Sequence, residues 1–392
     1  MVRFDVYILG AGIAGLAFAE AALKRGLKTG IADPVGVGSG ASGAPIVITN
    51  IATGRRAKRA QKADVCLRAL EKSLHFAKGD ETHPPFFKRT ETLRPAFTAD
   101  IASDFRASLV KYAWQSGELE WMEKSIFSEQ FPWLGAHEGG LRVRDGFTID
   151  APRFLKALLQ ACERKGLQTK FHQPVQNMVQ WNSRLSEHRW DIPQADANAW
   201  VQGGKASAGA SGKARNFRHL LTSRHLGGES SERVIRVEFA DGTAIETANL
   251  IYAAGAGLRL YSMWDFLPMS YLKGELLELR LRREVPASYA FSGLGYVASD
   301  PVDASRVVVG STFERQFDSV EPTEKGQHRL MGTFGKLLPD FTGDVMSASG
   351  WAGVRVSSPD YQPVTAEHPE WSGHWVCTGL GSKGMLMSAY LA

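Results

Sequence analysis

Cysteine is scarce in this chain. Cys66, Cys162 and Cys377 are odd in number, far apart and nowhere spaced as CxxC. That pattern excludes a disulfide framework and a thiolate metal cluster, and it suits reduced thiols packed inside a cytoplasmic protein. The ten histidines show no ligand spacing with cysteine or acid, so no metal site is expected. Long apolar runs are also missing. The stretch 11–23 is interrupted by Glu20, and no basic segment leads into an apolar one at the N-terminus. Neither a membrane span nor a signal peptide is expected. No sign of charge dominates: 46 basic and 41 acidic residues leave a net charge of +5. Such a surface favours a polyanion such as RNA only if other features ask for one.

What is present starts at residue 10. Gly10-Ala11-Gly12-Ile13-Ala14-Gly15 lies between the apolar run 4–9 and a long helical pattern, and Asp33 ends a second strand-like run, 28–32. A dinucleotide site needs this order. Gly10 allows the tight turn, Gly12 admits a pyrophosphate to the backbone, and Gly15 lets helix and strand pack closely. The helix N-terminus then faces the phosphates, and Asp33 is placed for the adenosine ribose.

At 392 residues the chain exceeds one small core, and two lobes are expected. Strands alternate with helices at first, which reads as a doubly wound α/β sheet. Residues 14–25 read as the first crossover helix, 55–76 as a basic helical stretch and 152–165 as a third helix. Strands are expected at 168–171 and 175–179, a hairpin at 234–245 and beyond, and a further strand at 250–254 running into Gly255. A second group of strands falls at 275–281, 296–298 and 307–310. Residues 193–232, rich in glycine, serine and basic side chains, cannot bury enough apolar surface to order themselves and read as a flexible insertion.

Three more segments carry candidate chemistry. Small residues at 38–43, including Ala41, Ser42 and Gly43, would let backbone amides approach a phosphate or ring. Arg355, among apolar and small residues, reads as a semi-buried cation in need of an anion. Either an internal acid or a ligand carboxylate would serve. Gly381, Lys383, Gly384 and Met385 lead into a terminal helix whose N-terminus would favour negative charge.

Together these segments resemble the FAD-dependent amine oxidoreductases of the D-amino-acid oxidase and glycine oxidase superfamily. The resemblance adds the 41–45 loop, 146–150 before the third helix, 252–257, Lys273-Gly274-Glu275 and 310–314. It implies an α+β architecture overall, with a Rossmann-type FAD-binding domain (1–80, 140–262 and 351–392) and an antiparallel-sheet substrate domain (81–139 and 263–350). It assigns to the FAD site Gly10, Gly12, Ile13, Ala14, Gly15, Asp33, Ala41, Ser42, Gly43, Val175, Ala254, Gly255, Gly381, Lys383, Gly384 and Met385. Arg355, Tyr296 and Lys383 are implied on the substrate and reaction side. Tyr296 equally reads as a core strand aromatic, and Lys383 as a solvated helix-start residue.

Within the superfamily, the 41–45 loop, 358–363 and 379–384 look most like the oxidase half of the bacterial bifunctional enzyme that modifies wobble uridine in tRNA. That implies conversion of 5-carboxymethylaminomethyl-uridine to 5-aminomethyl-uridine with loss of glyoxylate. The chain has no room for the methyltransferase half, so methylation is not expected of it, and a separate methyltransferase stays open as a partner. Ala44 stands where the resemblance expects Asn, and Ala392 falls early in an expected longer terminal helix. Oxidation of free glycine, sarcosine or D-amino acids stays open, as do a non-catalytic flavin-binding role and an NAD-linked dehydrogenase.

Overall fold

The computed structural model describes residues 1–79, 84–181, 187–193 and 234–392. The expectation of a flexible insertion therefore lies almost wholly outside the described residues. Two large sheets organise the molecule. The first runs Gln168–Phe171, Thr29–Asp33, Val2–Leu9, Ala244–Tyr252, Val234–Phe239, Val175–Trp181, Glu187–Asp191, and also takes in Val364–Glu367 and His374–Thr378. Its first four strands are mutually parallel, with Val2 opposite Ile245 and Leu9 opposite Tyr252. The return arm of the hairpin and the strand entering Gly255 are thus one element, Ala244–Tyr252, where the sequence suggested two. Its first half pairs with Val234–Phe239 and its second half with His374–Thr378.

Helices Ile13–Lys24, Ala63–Lys78 and Ala151–Arg164 bury one face of this sheet in a cluster that includes Ile8, Leu16, Leu74 and Phe154. Their termini follow the local chemistry. Asp150 accepts from the Arg153 amide at 2.9 Å to cap the third helix, and Gly26 (φ +75°) stops the first. The expected helix 55–76 begins only at Ala63. Ahead of it, Ala52–Thr53 and Lys58–Arg59 form a small hairpin. Ala57 and Lys62 adopt left-handed backbone there, which no helix accommodates. The buried Arg94 guanidinium holds that hairpin by donating to the carbonyls of Ala52 and Gly54, both at 2.7 Å.

The second sheet has the order Val345–Ser357, Ser270–Leu281, Arg306–Gly310, Tyr296–Ser299, Tyr289–Ser292, Glu91–Pro95, Gly140–Val143, Leu119–Met122. One face packs Leu277, Leu279, Val297 and Val309 against helix Glu324–Leu337. The other packs Leu276, Ala298 and Val308 against Ala44, Ile46 and Trp351. That second face looks towards the glycine loop that follows Asp33. Among the described residues, no helix is long and apolar enough to cross a membrane.

Candidate functional site

Four loops, around residues 12, 42, 254 and 382, meet at the C-terminal end of the parallel strands. Gly10 has φ +108°, and a Cβ there would stand 2.5 Å from the Ala253 carbonyl oxygen. Only glycine lets the first turn and the 253–255 turn approach so closely. A Cβ on Gly12 would lie 2.9 Å from Ser42 Oγ, and one on Gly384 would lie 3.5 Å from the Ile13 side chain. The segments around 12, 42, 254 and 384, expected to share one ligand, are therefore neighbours.

The helix opening at Ile13 is built for an anion. It has no side-chain cap and no acid in its first turn. The Ser42 hydroxyl accepts from the Ile13 amide at 3.1 Å. The Ala14 and Gly15 amides make no hydrogen bond within the described residues, so orphan donors and the positive helix end face the loop cleft together. Those orphan amides, and the room that glycine leaves beside them, fit the pyrophosphate of a dinucleotide.

Asp33 is busier than the sequence suggested. One carboxylate oxygen accepts from the Ala11 amide at 2.9 Å, and the other from the amides of Val35 and Gly36 at 3.0 and 2.9 Å. With Ser39 Oγ also donating to the second oxygen at 3.4 Å, it ties the first glycine turn to the second and keeps one lone pair, on the oxygen facing Ala11, for a ribose. Val175 lies under this end of the sheet, packed in the cluster that holds Leu9, Ala32 and Tyr252. Ala254 leads into the turn Gly255–Leu260, with Gly255 at φ +53°.

The last loop sits on the first helix. Leu380 and Met385 pack into the core cluster of Ile13 and Ala14, Gly381 has φ +56°, and Gly381–Lys383 forms one tight turn before helix Gly384–Leu391. The Lys383 ammonium donates to the Tyr361 carbonyl. Burial pulls its pKa below the ordinary lysine value, against the opposing charge of Asp360. The 358–362 turn is itself locked: Asp360 accepts from Ser358 Oγ at 2.7 Å and from the Gln362 amide at 3.0 Å.

Across the cleft stands the second sheet. Trp351, Gly353 and Arg355 alternate on the face that looks towards Ala41, and a Cβ on Gly353 would come 3.1 Å from the Ala41 backbone. Register places Leu272 opposite Arg355, Gly274 opposite Gly353, and Leu276 opposite both Trp351 and Gly310. Tyr296 lies opposite Gly310 on the same face, and its hydroxyl donates to the Ile46 carbonyl at 2.8 Å. Burial raises that phenol far above its ordinary pKa, while Arg355 counteracts it. Tyr296 thus pins the loop after Gly43 against the sheet, and its proton is committed.

Arg355 decides the site's electrostatics. Its guanidinium donates to the Thr312 carbonyl at 3.1 Å and lies 4.8 Å from the Phe313 ring centre. Among the described residues no carboxylate pairs with it. Of the two options left open by the sequence, internal acid or ligand, the described residues supply no internal acid. Burial lowers its pKa from the ordinary value, opposed by Tyr296, but a guanidinium stays charged. It is held flat across the neighbouring strand because Gly274 has no side chain. A Cβ on Gly274 would stand 2.9 Å from Arg355 Cζ.

Sequence reasoning missed what supports this arginine. Lys273 and Glu275, 1% and 0% exposed, pair at 2.9 Å on the opposite face of the strand. Lys273 Nζ also donates to the Glu321 carbonyl at 2.6 Å, and Glu275 accepts from the Thr323 amide and hydroxyl. The Glu275 amide donates to Thr312 Oγ1 at 2.9 Å, which fixes the carbonyl that Arg355 uses. Alternating charge around a glycine in 273–275 was the available signal. The three cysteines are buried and free. Burial pushes the Cys162 and Cys377 thiols up to about 12 and about 11, which makes them poor nucleophiles. No group of three or more metal-binding side chains comes together among the described residues.

The bifunctional tRNA 5-methylaminomethyl-2-thiouridine biosynthesis protein of Maricaulis maris is 24% identical over 396 residues, covering 99% of this chain and 50% of that protein. Glycine oxidase of Pseudomonas aeruginosa is 26% identical over 159 residues, 40% of this chain and 43% of that protein. The chain thus spans half or less of the curated relatives it matches. The crystal structure of glycine oxidase from Geobacillus kaustophilus superposes with a TM-score of 0.73 at 19% identity, covering 100% of this chain and 93% of that one, which shows a shared fold. The family described as DAO, FAD dependent oxidoreductase, matches residues 5–392, and the chain belongs to it, with FAD as its cofactor.

Proposed function

We infer that the chain oxidises the C–N bond of an N-substituted glycine, and that its substrate is the 5-carboxymethylaminomethyl side chain of a wobble uridine in tRNA. The observation that carries this reading is Arg355, semi-buried on the cleft face without a carboxylate partner among the described residues. A guanidinium fork matches a carboxylate in charge and shape, so the glycine end of the substrate supplies the missing anion.

The glycine turns, the orphan amides of the first helix, Asp33, Ser42, Ala254 and the 381–385 segment would hold FAD, with Val175 beneath its adenosine end. When bound, FAD supplies the two-electron acceptor. The chain's own part is placement and dehydration. Arg355 anchors the carboxylate, and the apolar wall of Trp351 and Leu276 excludes water. A free alkyl amine has a pKa of about 10. Desolvation against that wall lowers it, so the amine loses its proton without a dedicated side-chain base. Tyr296, its proton donated to Ile46, shapes the wall instead of titrating. Lys383 adds positive charge near the terminal-helix end of the cleft. The oxidised substrate is an imine, which water splits into the aminomethyl base and glyoxylate.

The matched relative from Maricaulis maris, full coverage of this chain and a net charge of +5 support the tRNA reading. In this reading the two sheets serve as FAD-binding and substrate domains with the bounds given above, in a cytoplasmic protein. A second reading, oxidation of free glycine or sarcosine, is favoured by the similarity to glycine oxidases, and Arg355 would serve it equally. The experiment is direct. Tracts of tRNA bearing the carboxymethylaminomethyl group are incubated with purified protein, and glyoxylate and the nucleoside are quantified beside peroxide release from glycine and sarcosine. Glyoxylate from tRNA at a kcat/KM well above that for either amine supports the first reading. Turnover of the free amines alone replaces it with the second.

A further inference from the structure

Phe313 is a large apolar side chain left 59% exposed at the edge of the cleft. Its ring centre lies 4.8 Å from Arg355 Cζ, so one face of the ring is spoken for. The backbone that presents it is rigid. Glu314 exchanges two hydrogen bonds with Lys273, both at 2.9 Å. Thr312 is held by the Glu275 amide through its hydroxyl and by Arg355 through its carbonyl. An exposed ring on so fixed a backbone keeps its other face turned outward beside the carboxylate anchor.

We propose that Phe313 is a specificity-determining residue, the platform on which the planar base of the substrate stacks while Arg355 holds the carboxylate. This rests on the uridine reading above. A pyrimidine ring has a π-face to lay on the phenyl ring, whereas glycine and sarcosine have none. Stacking of this kind commonly changes affinity by about tenfold or more. The 5-carboxymethylaminomethyl chain places its carboxylate several bonds from the base, so anchor and platform engage opposite ends of one ligand.

The test is anaerobic flavin bleaching by the nucleoside 5-carboxymethylaminomethyl-uridine, with acetate as a competitor that offers a carboxylate and no base. The dissociation constant for the nucleoside reads anchor plus platform. The inhibition constant for acetate reads the anchor alone, so their ratio cancels any loosening of Arg355. In Phe313→Leu the nucleoside constant is expected to rise about tenfold more than the acetate constant, and Phe313→Trp to bring the ratio back to about the wild-type value. Parallel changes in both constants, with the wild type still bleached by the nucleoside, overturn the stacking role alone. A wild-type protein that the nucleoside never bleaches overturns the uridine reading and the platform with it.

Discussion

Arg306 and Arg355 stand on the same face of the same sheet, opposite Arg280 and Leu272 of one strand, and the molecule treats them in opposite ways. Arg306 is saturated. It pairs with Glu278 at 2.9 Å, Asp150 at 2.8 Å and Asp300 at 2.9 Å, and Arg153 closes the ring onto Asp150 and Asp300. Because Asp150 caps helix Ala151–Arg164, this cluster bolts the second sheet to the first. Hydrogen bonding to Glu278 heads the causes that raise the Arg306 pKa. Arg355, about 27 Å away along the strand, has a carbonyl and a phenyl ring for company. A guanidinium already matched by carboxylates is structure. Arg355, held in place with no carboxylate partner among the described residues, is the one we propose for the substrate.

Breaking the unmatched end has the largest expected effect. Arg355→Leu removes a charge pair with the substrate worth about 3–5 kcal/mol when buried, so kcat/KM falls by about 10² to 10⁴-fold. The flavin absorbance of the purified variant stays. Loss of flavin, or kinetics within twofold of the parent, contradicts the anchor.

Breaking the matched end acts on folding instead. Arg306→Met leaves Arg153 alone to balance the buried Asp150 and Asp300 and takes away the partner of Glu278, at a cost of about 2 kcal/mol. The urea midpoint drops accordingly. An unchanged midpoint would mean that the cluster contributes nothing to holding the sheets together.

Gly274→Ala sharpens the comparison without touching charge. The new methyl would press on the guanidinium, which must swing off its strand. KM is expected to rise about tenfold, the scale of one misplaced charge-assisted hydrogen bond, with kcat changed less and stability by under about 1 kcal/mol. A kcat loss with constant KM would place the glycine's importance elsewhere.

His374 extends the theme to a neutral group fully enclosed by protein. Burial pulls its pKa to about 3, and it lies 2.8 Å from the Tyr252 hydroxyl and 3.2 Å from Gln180. Above the ordinary histidine pKa of about 6.5 both folded and unfolded forms are neutral. As the pH falls below that value the unfolded chain takes up a proton that the folded chain refuses. Stability present above pH 6.5 is therefore lost on acidification, by up to about 1.4 kcal/mol per pH unit. Urea midpoints at pH 7 and pH 5 check this. His374→Asn should flatten the slope, and an equally steep slope would assign it to other groups.

The two sides of the cleft also differed in how readable they were. Gly10 to Gly15 and Asp33 are local signals, because turn, helix start and acid lie within one βαβ unit. Their neighbours in space, the 41–43 and 381–385 segments, were legible as glycine-rich loops that need a partner. The long strand Val345–Ser357 was not, since Ser347, Ser349, Gly350 and Gly353 depress its β signal. Its pairing with Ser270–Leu281, remote in sequence, is what makes it a strand. Helix Glu324–Leu337 hid behind Gly326, Gly332, Thr333 and Gly335. Asp33 was visible as an acid after a strand, but its grip on three backbone amides depends on turns that only the folded chain defines. Arg355 was visible as a cation among small residues. That no carboxylate among the described residues pairs with it could be learned only from the neighbours that folding gave it.

The most direct measurement is a cycle of two changes, one on each side of the proposed ion pair. The nucleoside substrate and its carboxamide analogue, which keeps size and base but loses the charge, are each used to bleach the flavin of the wild type and of Arg355→Leu without oxygen. Removing the carboxylate should slow the wild type at least about 100-fold and leave the variant nearly indifferent, since the pair is already gone. Equal losses in both proteins would show that Arg355 and the carboxylate never meet.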